Sequence, residues 1–233
     1  MLLKVENLSK RFNIHILGNK IINGCENVSF EVDKNEFLVI SGPSGAGKST
    51  ILKCIYRTYL PTSGSIIYNS ISYGKIDLST IKDQLVLELR HKEIGYVSQF
   101  LRVIPRVSAL DLVAEPLLLR NGLSLKEAQN KAGMLLERLN ISTKLFDACP
   151  STFSGGEQQR INIARAVIWE PKLLLLDEPT ASLDHNSTLI VVDLLKELKE
   201  KGISIIGIFH EDKLIKPIID KIYIIKAGDV HEK

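Results

Sequence analysis

The stretch Phe37-Leu38-Val39-Ile40-Ser41-Gly42-Pro43-Ser44-Gly45-Ala46-Gly47-Lys48-Ser49-Thr50-Ile51-Leu52-Lys53-Cys54-Ile55 decides the fold. Its first four residues are an apolar run short enough for a buried strand, and its last five have the apolar spacing of a helix packed on that strand. Glycines at 42, 45 and 47 let the intervening backbone curl, so that successive N–H groups point inward at phosphate oxygens. The helix start adds partial positive charge, Lys48 reaches the β- and γ-phosphates, and the Ser49 hydroxyl suits Mg²⁺. A Gly-rich turn with an exposed lysine shares the G-x-x-x-x-G-K-[ST] pattern but not this strand–loop–helix setting. The stretch reads as a nucleotide phosphate cradle.

The rest of the chain bounds what that cradle belongs to. At 233 residues there is room for one large α/β domain with a sub-domain inserted and an ample core. Hydrophobic content of 45% and charged content of 24% are those of an ordinary soluble protein. A net charge of +3 is too small to argue for nucleic acid as a partner. Cys25, Cys54 and Cys149 lie far apart without metal-ligand spacing, which favours a reducing compartment over a disulfide framework. No apolar run approaches the roughly 20 residues needed to cross a bilayer. Lys4 and Glu6 come too early for a signal peptide, so a cytoplasmic location is expected.

Along the chain, residues 2–6 alternate as an edge strand. Residues 13–17 and 20–22 flank Gly18-Asn19, a hairpin signal. Residues 28–32 form another alternating strand, and Ser65-Ile66-Ile67-Tyr68 with Ile71-Ser72-Tyr73 predicts an antiparallel pair turning at Asn69-Ser70. The first third is thus β-rich with one helix. From residue 100 to 168 the pattern is helical: Ser124 and Glu127 make a capping box, and Leu125, Ala128, Ala132, Leu135, Leu136 and Leu139 recur at helical spacing. The last third alternates again. Leu173-Leu174-Leu175-Leu176-Asp177 has the continuous apolar run of a strand buried on both faces, residues 191–198 line a helix ended by Gly202, and residues 203–209 and 221–225 are further strands. Strands joined by helices give a mainly parallel sheet, with the ligand beyond the carboxyl ends of its strands, where Gly42, Asp177 and His210 all fall.

Asp177-Glu178 supplies two carboxylates with different tasks. Asp177, at the strand end, faces the phosphate loop and is expected to hold Mg²⁺ through water, whereas Glu178 is placed to polarise an attacking water; phosphoryl transfer needs such positioning and charge neutralisation. In Ser154-Gly155-Gly156-Glu157-Gln158-Gln159-Arg160 a hydroxyl and two glycines precede a helix with Ile161, Ala164, Val167 and Ile168 on its apolar face. That is either an ordinary Ser-capped helix or a second anion cradle, and one nucleotide needs a second cradle only if another molecule supplies it. Gln99, His210 and the trio Ser182-Leu183-Asp184 matter by position at strand ends.

Together these residues resemble those of the ATP-binding-cassette (ABC) ATPases, over the whole chain. The resemblance implies an α/β fold of the P-loop NTPase (RecA-like) type: a mainly parallel sheet with an antiparallel β subdomain and an inserted helical subdomain. Residues 1–99 and 169–233 would form the nucleotide-binding core and 100–168 the helical signature subdomain. It also implies ATP and Mg²⁺ as ligands and a second cassette as partner, in a homo- or heterodimer. Residues 42–50 correspond to the family's phosphate loop, Gln99 to its Q-loop and metal site, and Ser154, Gly155, Gly156 and Glu157 to its signature. Asp177 and Glu178 match the metal-binding and catalytic acids, Asp184 the D-loop, His210 the switch histidine, and Phe12 the aromatic residue stacked on adenine. Departures are Phe153 where leucine is usual, Glu157 where glutamine is commonest, Phe209 before the histidine, and the insertion after Phe12.

A narrower likeness joins residues 99–110, Pro150-Ser151-Thr152-Phe153-Ser154 and Gly207-Ile208-Phe209-His210 to the ABC subunits of the bacterial carbon–phosphorus lyase system, which degrades phosphonates. It implies soluble lyase subunits as partners and a role in the step joining a phosphonate to the ribose of ATP. The alternative is the motor subunit of a membrane transporter, with a permease docking on the apolar and basic patch around Leu101, Arg102 and Arg106. A DNA-repair cassette would need coiled coils or DNA-binding inserts, and a P-loop kinase would leave residues 154–158 unexplained.

Overall fold

The computed structural model describes residues 1–14, 20–101, 104–209 and 213–225. The hairpin tip at Gly18-Asn19, Arg102 and His210 lie outside the described residues. The strands are β1 (Leu3–Ile14), β2 (Lys20–Val32), β3 (Phe37–Ser41), β4 (Ser63–Ser70), β5 (Gly74–Asp77), β6 (Ile94–Val97), β7 (Leu173–Asp177), β8 (Ser204–Ile208) and β9 (Lys221–Ile224). The helices are α1 (Lys48–Ile55), α2 (Asp83–Lys92), α3 (Ala109–Asn121), α4 (Leu125–Arg138), α5 (Gly155–Val167) and α6 (His185–Glu200).

Five strands form a parallel sheet in the order β6-β7-β8-β3-β9, and four form an antiparallel sheet in the order β2-β1-β4-β5. Strand β7 is buried at every residue and lies between β6 and β8, which explains why its sequence is a run rather than an alternation. Its side chains nevertheless divide by the period of two. Leu173 and Leu175 join the core shared with α1 and the antiparallel sheet, whereas Leu174 and Leu176 join the core shared with α3, α4, α5 and α6. The parallel sheet is therefore a wall between two apolar cores, and the carboxyl ends of β3, β6 and β7 meet along one rim.

Local chemistry fixes the helix ends. Ser108 caps α3 by accepting from Asp111 N, and Gly122, at φ 62°, ends it. The capping box of Ser124 and Glu127 opens α4 as expected. Gly202, at φ 94°, follows α6.

Two expectations are corrected, and one helix is added. Strand β1 runs for 12 residues and is flanked by β2 and β4, so it is not an edge. The turn after β4 lies at residues 71–73 and not at Asn69-Ser70. Buried Glu93 accepts from Ile71 N and Ser72 N, Ser70 Oγ accepts from Tyr73 N, and Gly74 takes φ 67°. Past the β-rich first third lies a helix that the sequence pattern did not mark, α2. It buries only Val86 and Leu89, leaves Leu87 exposed and has no side-chain cap, so its periodic signal is faint.

Candidate nucleotide site

Strand β3 delivers the phosphate loop to the rim. Gly47 sits at φ 84°, and a Cβ there would lie 1.7 Å from Gly24 O, so no other residue fits. The loop closes with Ala46 N donating to Pro43 O at 3.3 Å; Pro43, Ser44 and Gly45 face outward and Ala46 is buried beneath them. Helix α1 begins straight after, with no side-chain cap and no acid in its first turn. Its leading N–H groups and partial positive charge are therefore directed at whatever the loop encloses. Lys48 is buried, and its Nζ donates to Gly42 O and Pro43 O, both at 2.8 Å. The ammonium is held over the loop as a point charge. Thr50 lies half-buried in the next turn, its methyl close to Gly24.

Asp177 ends β7 and is only 3% exposed. Ser49 Oγ donates to its Oδ1 at 2.7 Å, and Tyr96 OH donates to its Oδ2 at 3.0 Å. A hydroxyl and a carboxylate oxygen side by side at the foot of a phosphate loop make the hard, oxygen-only donor set that Mg²⁺ uses when phosphates complete its shell. The donor set fits that ion. Burial, reinforced by the Asp177 carboxylate, pushes the Tyr96 phenol well above the ordinary tyrosine range, so it stays a proton donor.

The chain turns sharply after Asp177. Glu178 has φ 52°, a left-handed conformation costing a non-glycine residue roughly 1–3 kcal/mol. Its amide donates to Ile208 O, so β8 holds the turn. Gln99 Nε2 donates to Glu178 Oε2 at 3.1 Å, joining the second residue after β6 to the first after β7. Gln99 thus meets Glu178; Asp177 takes its hydrogen bonds from Ser49 and Tyr96.

The second cradle lies elsewhere. Ser154 caps α5 in a capping box with Glu157, whose carboxyl accepts from Ser154 N and Oγ at 2.9 and 2.7 Å and is thereby held below its ordinary pKa. This also accounts for Glu157 in place of glutamine: it serves its own helix. Ser154 and Gly155 are exposed, and Gly156 packs near Ser182 O and Leu183. Among the described residues no hydrogen bond joins Ser154, Gly155, Gly156 or Glu157 to residues 42–50. Asp184 caps α6, accepting from Ser187 N and Oγ, and these bonds lower its pKa. The Phe12 ring meets Tyr59 edge-on at 5.1 Å and would collide with any Cβ on Gly24, which places it beside the loop.

Two contributors escaped the sequence reading. Tyr96 reads as one more β-forming aromatic residue, and only the β6–β7 pairing brings it to Asp177. Asn162 reads as a polar residue in a helix, yet its Nδ2 donates to Ser98 O at 2.8 Å and ties α5 to the segment before Gln99.

Fold and site together define a P-loop NTPase with a helical insertion that carries a second glycine-rich helix start. The ABC transporter family model matches residues 25–181, and the chain belongs to that family. It therefore binds ATP with Mg²⁺, as cassettes of the family do. A methionine import ATP-binding protein, MetN, of Haemophilus influenzae is 36% identical over all of the chain, which spans 64% of that relative's length. A phosphonates import ATP-binding protein, PhnC 2, of Oceanobacillus iheyensis is 36% identical over 98% of the chain and 88% of its own length. The ATP-binding cassette MJ0796, solved as a dimer in a post-hydrolysis state bound to ADP and Pi, superposes with a TM-score of 0.87 at 31% identity. That match covers 99% of this chain and 97% of the other.

Proposed function

We propose that the chain is the ATP-hydrolysing subunit of a membrane transporter, acting as one of two cassettes that enclose ATP between them. The observation that carries the pairing is the separation of two anion cradles. Lys48, Ser49, Asp177 and Glu178 converge on one rim, whereas Ser154 and Gly155 leave the start of α5 exposed to solvent, and among the described residues they make no hydrogen bond to that loop. A nucleotide that needs both must take the second from another chain. The dimeric cassette MJ0796, with ADP and Pi bound, supports this arrangement.

In this reading the α1 amides and Lys48 bind and orient the phosphates. Ser49 and Asp177 hold Mg²⁺, which neutralises charge developing on the phosphoryl oxygens. Glu178 accepts the proton of the water that attacks the γ-phosphate, and Gln99 holds its Oε2 in place. His210, Asp184 and Phe12 remain proposals here, as switch, cross-interface contact and adenine platform.

The transporter reading is preferred to the carbon–phosphorus lyase one. The two relatives above are named for import, one of them for phosphonates, and no phosphonate-ribosylating role is drawn from either. A groove of about 830 Å³ runs from Ser49 and Asp177 of the metal site past Gln99 to Phe100 and Leu101, and Phe100 is 74% exposed. An amphipathic segment of a permease fits such a surface. Among the described residues no helix is long and apolar enough to cross a membrane, so this reading assigns the passage to another chain. The test is to isolate the tagged protein from its own cells and identify what accompanies it. An integral-membrane permease, lost on charge reversal at Arg106, is the expected result. Recovery with soluble lyase subunits and no permease would overturn the transporter reading and restore the other.

A further inference from the structure

Tyr96 is held at both ends. Its hydroxyl donates to Asp177 Oδ2 at 3.0 Å, the oxygen that Ser49 leaves unused. Its ring stacks on Tyr56, with centroids 4.8 Å apart and 26° between the planes. The Arg90 guanidinium covers Tyr56 at 4.4 Å, and Arg90 Nε donates to Tyr56 O at 2.9 Å. Tyr56 is the C-cap residue of α1, the helix whose first turn carries Ser49, so Tyr96 spans the two elements that supply the metal ligands.

We propose that Tyr96 is a positioning residue for the metal site: its hydroxyl aims the Asp177 carboxylate at the cation, with Tyr56 and Arg90 as the brace. This rests on the MgATP reading above, since the carboxylate it orients is the metal ligand. A carboxylate with one oxygen anchored presents the other in a fixed direction. Without the anchor only the Ser49 bond to Oδ1 restrains rotation about χ2. Partners in this position fix ligand orientation, and their loss typically costs about 10- to 100-fold in metal affinity.

The experiment titrates Mn²⁺, followed by electron paramagnetic resonance, into ATP-loaded protein carrying Glu178→Gln so that turnover does not interfere. Tyr96→Phe in that background is expected to weaken Mn²⁺ binding about 10-fold, while ATP affinity in EDTA stays unchanged. A purely structural role would lower both together or neither. Equal Mn²⁺ affinity with and without the hydroxyl overturns the proposal. If Tyr96→Phe fails to fold, Tyr56→Leu removes the brace and keeps the hydroxyl. A weakening of several-fold supports the proposal and unchanged affinity overturns it. Loss of Mn²⁺-dependent ATP binding from Glu178→Gln alone would instead overturn the MgATP reading on which the proposal stands.

Discussion

In the proposed function Lys48 and Glu178 divide binding from chemistry, and each residue carries its own test. Removing the Lys48 ammonium takes away the point charge aimed at the terminal phosphates, so Lys48→Ala should lose nucleotide binding in a titration with fluorescent ATP. Equal affinity in wild type and variant would contradict the assignment. Glu178→Gln should bind ATP as wild type does and hydrolyse it about 10²- to 10⁴-fold more slowly in steady-state assays. Unchanged turnover would remove Glu178 from its role. Both residues stand out in sequence because their side-chain chemistry is the signal: a lysine after three glycines, an acid pair after four leucines. The left-handed backbone at Glu178 was not legible. It is held by the hydrogen bond from the Glu178 amide to Ile208 O across the sheet, which no local pattern encodes. The same holds for Tyr96, whose partner is 81 residues away.

Elements were legible where the period was strong and the caps were local, as in α4 and β7. They were missed where a distant side chain set the geometry. Glu93, between α2 and β6, reorganises the whole turn after β4. It is buried and accepts from Tyr68 OH, Ser70 Oγ, Ile71 N and Ser72 N, joining the antiparallel sheet to the parallel one. Burial works to raise its pKa, but the hydrogen bonds from Ser70, Ile71, Ser72 and Tyr68 outweigh it, and the folded value lies below the ordinary one. The stability this adds is therefore full above the ordinary carboxylate value and is lost as pH falls from there through the folded value. Thermal melting from pH 7 down to pH 3 should show a fall in acid that Glu93→Gln largely lacks, with that variant less stable than wild type at pH 7. A variant matching wild type at every pH would refute the account of this junction.

At the scale of the whole molecule, the parallel sheet separates two cores, and α3 and α4 bury their apolar faces in the same core as α5 and α6. In the proposed reading ATP at the rim would act on the surface around Phe100 through the hydrogen bonds of Gln99 to Glu178 and of Asn162 to Ser98. Displacement there is felt by a partner only as different affinities for two arrangements. The broad architecture followed from the alternation of strands and helices. The pairing of two chains followed only from asking why one nucleotide would need two cradles, which is a question about stoichiometry and not about pattern. Sedimentation of the Glu178→Gln protein at saturating MgATP tests that pairing most directly. The account predicts a shift from monomer to dimer that requires ATP and is abolished by Lys48→Ala or by Gly156→Asp, whose added side chain would meet Ser182 and Leu183 at the start of α5. A protein that stays monomeric under those conditions, alone and mixed with any cassette purified alongside it, would contradict it.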